Sequence, residues 1–443
     1  MLKKISNWIE KNEKLILSFI ISGSILSSII YSFSFRIEPT VDAKAYDNIA
    51  WDIAQGSGYD ENSAIGRPGP GYEFFLGFIF RIFGHSYEAV WIIHALLLGA
   101  SAYFVYKSIK SIDPNNFSLP ALVGAFLIGF SPDLITVSSM LLTETLVVFL
   151  ISGFLYFLIK SITKDKAHLL SISGIFLSAA MLTRSNLSLL VIPVCIFLIY
   201  KKNYKKFFLF AGIIIICLTP WTIRNYFIYH EVRPFNAAFG LIYVGNHKGA
   251  TGELIVDYPL PEGYGDLSSL DQIDFDEILK KEGIKYIKNN PLDFLRLSLI
   301  RLSIYISPAR PFAFWPHLKG LVRWATTGLS SVYAGVMFVV GFFGIWVSIK
   351  TKEKKFKEYA VLLSSLAVVM PVGIVWLIVE TRYRFPLYPI LGLFVGLGIS
   401  WLIKKWPTNI KNYKSVLIII LLIIGANSAF DIIRNLGRIA DKF

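Results

Sequence analysis

Apolar runs of about 17–25 residues recur along the chain, and each is long enough to cross a bilayer as a helix. No other feature limits the fold as sharply. In hydrocarbon every backbone N–H and C=O must find its partner within the protein, which leaves helices or closed barrels. Continuous rather than alternating apolarity selects helices. The chain has 443 residues, a mean hydropathy of +0.57, and 54% hydrophobic against 17% charged residues. Once the runs are removed, no soluble domain of ordinary size remains. The sequence therefore predicts an all-α polytopic membrane protein. Spans are expected near 14–35, 86–106, 117–130, 136–159, 168–183, 187–200, 207–222, 327–349, 358–379, 386–403 and 415–430, eleven in all. The third, fifth and sixth are short. The first is long and lacks a small-residue cleavage site, so it reads as a retained helix rather than a cleaved signal.

A net charge of +14 would suit nucleic acid, but its distribution argues otherwise. The N-terminus and the loops at 107–116, 160–166, 201–206, 350–357 and 404–414 hold 22 of the 30 lysines and none of the 14 arginines. By the positive-inside rule these segments face the cytoplasm. The expectation is a multi-pass protein of the cytoplasmic membrane, with its N-terminus inside, its C-terminus outside and no nucleic-acid partner. The arginines then fall on or near the outer side, where that rule predicts few cations. Arginine is the better bidentate phosphate ligand, whereas lysine acts as a point charge. Single arginines there can simply anchor helix ends; the set as a whole suggests a phosphate-bearing substrate handled outside.

Three regions follow from this layout. Residues 1–222 form a core whose first outer loop is 36–85, residues 223–326 form a large outer loop region, and 327–443 carry the last spans. In the first loop, VDAKAYDNIAWDIAQGSGY (41–59) reads as a short amphipathic helix. Asp42 stands at the N-cap, Tyr46, Ile49, Ala50, Ile53 and Ala54 make the apolar stripe, and Gly56 and Gly58 end it. GRPGPGYEFFLGFIFRIFG (66–84) opens with a Gly/Pro turn and continues as an interfacial or half-buried helix. Tight outer connections are expected at 131–134, 183–186 and 380–384. Residues 240–253 suggest a loop or hairpin. A helix near 272–289 should stop at Asn290-Pro291, with an Arg-bearing helix at 291–306.

The candidate chemistry is carboxylate and guanidinium. Asp42, Asp47, Asp52, Asp60 and Glu61 are the acids of the first loop. A plain cap is an equal reading for Asp42, and a solvated face is the plainer one for Asp47 and Asp52. Glu144 lies near the outer end of an apolar run, where a carboxylate is costly and marks a functional site by default. A structural pairing with an arginine from a neighbouring loop is compatible with that. Arg67, Arg184, Arg224, Arg382 and Arg384 are the candidate phosphate ligands, and Arg382 and Arg384 also have Glu380 beside them. The six histidines show no metal-binding spacing, and His94 reads as a satisfied polar contact within a span. Cys195 and Cys217 read as small buried hydrophobes. No Walker loop, Rossmann fingerprint or nucleophile elbow occurs, so no ATP, dinucleotide, metal or other cofactor is expected.

An Asp just after the first span, then YDxIAxDIAxGxGY and RPGPGY before an apolar helix ending in FG, resembles the start of the polyprenyl-phosphate-dependent GT-C glycosyltransferases. That group includes the protein O-mannosyltransferases of glycosyltransferase family 39, the lipid A aminoarabinose transferase and the RgtA/B/C/D-type bacterial enzymes. SPDLITVSSMLLTETL, LTRSNL, LTPWTIRNY, GLIYVGNHKGATGE, NNPLDFLRLSLIRL and ETRYRFPLYP match in order, over about 38–253 and 289–390. The resemblance implies a GT-C fold and an enzyme that moves a sugar from a polyprenyl-phosphate carrier, with inversion, to a glycan, lipid or protein acceptor outside the cytoplasm. Asp42 takes the catalytic carboxylate role, as general base. Arg67, Arg184, Arg224, Arg382 and Arg384 become candidates for the donor phosphate, with Tyr46, Asp47, Tyr72, Glu144 and Asn225 in support. Many relatives have Asp-Glu where this chain has Asp42-Ala43, and the turn after Arg67 departs from the commoner Arg-Pro-Pro-Gly-Tyr. A transporter or flippase of lipid-linked sugars, without chemistry, is the alternative. It predicts repeated halves and broken helices, and no repeat is visible. A polysaccharide polymerase or ligase is a third, lacking the Asp-bearing helix after the first span.

Overall fold

The computed structural model describes residues 2–59, 69–112, 118–235, 240–254, 258–264, 267, 270, 272–309, 317–351, 353–405 and 410–436. Among these there are helices and no strand. Helix α1 (Leu2–Lys11) leads into α2 (Glu13–Phe35), followed by two short helices, α3 (Asp42–Gln55) and α4 (Gly71–Phe83). The bundle continues through α5 (Tyr87–Ile112), α6 (Ser118–Gly129), α7 (Pro132–Ser138), α8 (Thr143–Lys164) and α9 (Ala167–Thr183). A 3₁₀ segment, Ser185–Leu190, joins α9 to α10 (Val191–Tyr200), and α11 (Tyr204–Tyr229) follows. The most polar part holds α12 (Leu241–Gly245), α13 (Gln272–Asn289) and α14 (Pro291–Ile306). Then come α15 (Gly320–Ile349), α16 (Lys354–Val372), a second 3₁₀ segment, Thr381–Leu387, and finally α17 (Tyr388–Lys405) and α18 (Ile410–Arg434).

The chain is an integral membrane protein. Seven of the described helical stretches are long and apolar enough to cross a bilayer, and the pair α6–α7, bent by 45°, makes an eighth. The eleven expected runs exceed this count for physical reasons. Helix α9 and the 185–200 stretch are apolar but shorter than a full crossing. Helix α16 opens with the charged run KKFKE (354–358), which leaves its apolar part shorter than a full crossing. The run expected at 136–159 is divided, because 136–138 belong to α7 and a break precedes α8. Conversely, α11 runs seven residues past the expected end at 222.

Burial sorts these spans into layers. Helix α8 and the stretch 381–402 are the most enclosed, with 78% and 83% of their apolar windows buried, against 17% for α2 and α11 and 11% for α18. These three expose most of their apolar surface, which carries no penalty within a bilayer. Both central spans begin with charged residues, Glu144 on one and Arg382 and Arg384 on the other, so Glu144 and Arg382 start from the best-held elements of the fold.

Helix α3 lays its stripe of Tyr46, Ile49, Ala50 and Ala54 inward and packs on α4. The other side of α4 exposes Phe74, Phe78, Ile82 and Phe83, as an interfacial helix does. The turn into α4 lies against the end of α9. A Cβ on Gly69 would stand 2.1 Å from the Leu182 carbonyl oxygen, so the backbone approach itself selects glycine here. Gly69→Ala is expected to cost about 1–3 kcal/mol by overpacking and to lower activity with it; thermal unfolding in detergent measures the first. The 240–253 segment is not a hairpin. It opens with α12 and continues in turns.

Candidate active site

A cavity of about 430 Å³ opens where the start of α3, the start of α8, the 185–190 segment and the 373–383 turn meet. This is an ordinary size for a ligand site. Asp42, Glu144, Arg184 and Arg382 all line it. Asp42 is not the cap of α3, as the sequence suggested, but its first residue. Val41 occupies the cap position, with no side-chain cap bond and with φ +48°, a rare conformation for a β-branched residue. The Asp42 carboxylate is thereby directed to a long-range partner. Arg382, 340 positions away, donates from Nη2 to Asp42 Oδ2 at 2.6 Å. The same guanidinium donates from Nε to Glu380 at 2.5 Å and lies 3.8 Å from Glu144 Oε1.

Glu144, on the first turn of α8, is 1% exposed and accepts from Arg184 Nη1 at 2.9 Å. Arg184 ends α9, and its guanidinium carbon stands 4.5 Å above the Tyr383 ring. The Glu144–Arg184 bond is its one side-chain hydrogen bond among the described residues. The guanidinium has five donors in all, so it retains bonding capacity toward the cavity. Tyr46 also lines the space, and Tyr72 backs it, with the two rings 5.2 Å apart and edge to face. Tyr72 in turn lies 3.4 Å from His94, whose Nδ1 pairs with the Ser138 carbonyl.

Other candidates lie elsewhere. Arg384 is 1% exposed and turned away from the cavity, bonded to Tyr388 at 3.1 Å and to the Ser307 carbonyl, with Asp133 at 3.7 Å. A 3₁₀ turn holds three residues, so positions 382 and 384 cannot share a face; the sequence grouping of these two arginines is corrected on that ground. Arg224 sits over Trp221 and Tyr59, outside the cavity lining, and bonds Asn225. Asn225 is fully buried and donates to the Arg233 and Phe235 carbonyls. Asp47 is not on a solvated face: it is buried and accepts from Tyr87 and pairs with His85, both at 2.7 Å. Cys195 and Cys217 are free and half-buried rather than buried. Arg67, Asp60 and Glu61 lie outside the described residues.

Two structural anchors were not singled out from sequence. Arg301 is fully buried and donates to the Val375 carbonyl at 3.0 Å, to Asn246 at 3.2 Å and to the Gly245 carbonyl. Burial pushes its pKa down to about 10. Asn246 donates to the Trp376 carbonyl at 3.0 Å. Together they tie the 374–378 wall of the cavity to α12. The helix 291–306 carries two arginines: Arg296 has Asp293 three residues before it, whereas Arg301 has no acid within its own helix turn, and that was the available signal. The join is tight: a Cβ on Gly245 would stand 1.7 Å from the Leu377 carbonyl oxygen. Gly245→Ala should displace that wall and lower activity by an order of magnitude or more, read in a turnover assay beside a folding control.

This architecture has counterparts among solved structures. Oligosaccharyltransferase AglB from Archaeoglobus fulgidus, solved with an inhibitory peptide and a dolichol-phosphate, superposes with a TM-score of 0.51 at 14% identity, covering 95% of this chain and 55% of that one. ArnT from Cupriavidus metallidurans bound to undecaprenyl phosphate gives a TM-score of 0.53 at 12% identity, over 86% and 59%. The chain has the GT-C fold. It spans a little over half the length of these GT-C structures. Within it, residues 67–223 match the dolichyl-phosphate-mannose-protein mannosyltransferase family. That stretch holds Glu144 and Arg184, while Asp42 and Arg382 lie outside it. A search of curated proteins finds no match.

Proposed function

We propose that this protein is a membrane glycosyltransferase that moves a sugar from a polyprenyl-phosphate carrier to a hydroxyl of a glycan, lipid or protein acceptor, on the outer side of the cytoplasmic membrane. The observation that carries the reading is the convergence of Asp42, Arg382, Glu144 and Arg184 on one cavity from four separate parts of the chain. The matched family and the carrier lipids named for AglB and ArnT support it.

In this mechanism the acceptor oxygen attacks the anomeric carbon. Its proton passes to the Asp42 carboxylate. The bond between the anomeric carbon and the phosphate oxygen breaks, and the electron pair leaves with the lipid phosphate. Attack opposite the leaving group inverts the anomeric centre. Arg382 holds the Asp42 carboxylate aimed. Arg184, with donors to spare, is the principal ligand for the leaving phosphate, and a preorganised cation there acts without reorganisation cost. Glu144 holds Arg184. The large apolar share of the cavity wall suits the start of an isoprenoid tail.

The test is release of free polyprenyl phosphate by the purified protein, given a panel of undecaprenyl- and dolichyl-phosphate sugars and crude envelope acceptors. Acceptor-dependent release supports transfer. Absence of release across the panel, with labelled donor crossing proteoliposome membranes intact, would replace this reading with a transporter.

A further inference from the structure

The 3₁₀ segment Ser185–Leu190 has a division of labour that the mechanism above leaves unused. With three residues per turn, side chains three apart fall in one row. Leu187 and Leu190 form one row, each 1% exposed and sunk in the core. Ser185 and Ser188 form the second, and Asn186 and Leu189 the third; all four line the cavity. The segment therefore presents two hydroxyls and a carboxamide to the cavity, directly after Arg184. None of the three has a side-chain hydrogen bond within the described protein.

Their chemistry is specific in kind. Hydroxyls and a carboxamide both donate and accept, and carry no charge. The carboxylates of this wall are already matched to guanidinium groups, Asp42 to Arg382 and Glu144 to Arg184. Trp376 and Phe235 add aromatic rings to the same lining, and an aromatic face suits the C–H side of a sugar ring. We infer that Ser185, Asn186 and Ser188 form the subsite that reads the hydroxyls of an uncharged glycosyl group on the donor, and so set sugar specificity. This inference rests on the proposed function for the identity of the donor. It goes beyond that reading by assigning the residues that select the sugar and by excluding a charged one.

Direct binding to the full-length protein separates the two claims. The probes are bare undecaprenyl phosphate, undecaprenyl phosphate carrying glucose or mannose, and undecaprenyl phosphate carrying an amino sugar, followed by native mass spectrometry in detergent. Wild type should bind at least one neutral-sugar carrier about tenfold or more tighter than the bare carrier, a ratio within reach of a few hydrogen bonds. Ser185→Ala/Ser188→Ala, and separately Asn186→Ala, should erase most of that gain while leaving affinity for the bare carrier unchanged. Loss of both affinities in parallel, retention of the gain, a gain for the amino sugar alone, or no gain for either neutral sugar would overturn the subsite. If the gain and its loss are seen but no carrier is ever released, the recognition stands and the transferase reading fails.

Discussion

Asp42→Asn is expected to reduce turnover by about 10²–10⁴-fold, the range that a positioned general base contributes, with little change in folding. The side chain is 37% exposed, so its bond to Arg382 is partly screened and adds little stability. Arg382 also keeps Glu380 as a partner at 2.5 Å in the variant. The loss should therefore appear in turnover and not in the unfolding temperature or in donor binding. Asp42→Glu restores the charge but moves the carboxylate by a methylene, and should recover part of the rate. Full turnover by a folded Asp42→Asn protein would remove Asp42 from the chemistry.

Glu144→Ala should be the most destabilising single change in the site. It leaves the Arg184 guanidinium, whose side chain is 9% exposed, without its carboxylate. Stranding one member of a buried pair costs about 3–5 kcal/mol. Replacing both partners with apolar groups of similar volume, Glu144→Leu with Arg184→Met, should return most of that stability. Turnover should stay depressed by about 10²-fold or more, because the leaving phosphate has lost its principal cation. Denaturation and turnover measured on the same three proteins check both halves. A double variant with recovered activity would show that Arg184 has no part in the reaction.

These contrasts also show what the sequence made legible. The helical class, the amphipathic α3 and the stop at Asn290-Pro291 follow from local periodicity and turn chemistry, which act over a few residues. Glu144 stood out because a carboxylate in an apolar run needs a partner, and Arg184 provides it. The partnership of Asp42 with Arg382 spans 340 positions and depends on how α3 meets the 381–387 segment, which no local rule encodes. Arg382 and Arg384 looked equivalent until the 3₁₀ turn set them on different faces. Asp47 looked solvated because only its own helix was considered; His85 and Tyr87 reach it from outside that helix. The Ser185–Leu190 segment read as a tight connection running into the start of the span at 187–200, since a three-residue period differs little from 3.6 over so short a stretch.

The most direct test of the central claim is a donor labelled separately in its sugar and its phosphate, presented to the protein in proteoliposomes. If this protein is a transferase, the labels part: the sugar leaves with the acceptor and the phosphate stays on the lipid. If the labels instead travel together across the bilayer, the protein moves its substrate without chemistry, and the roles given to Asp42 and Arg184 are wrong.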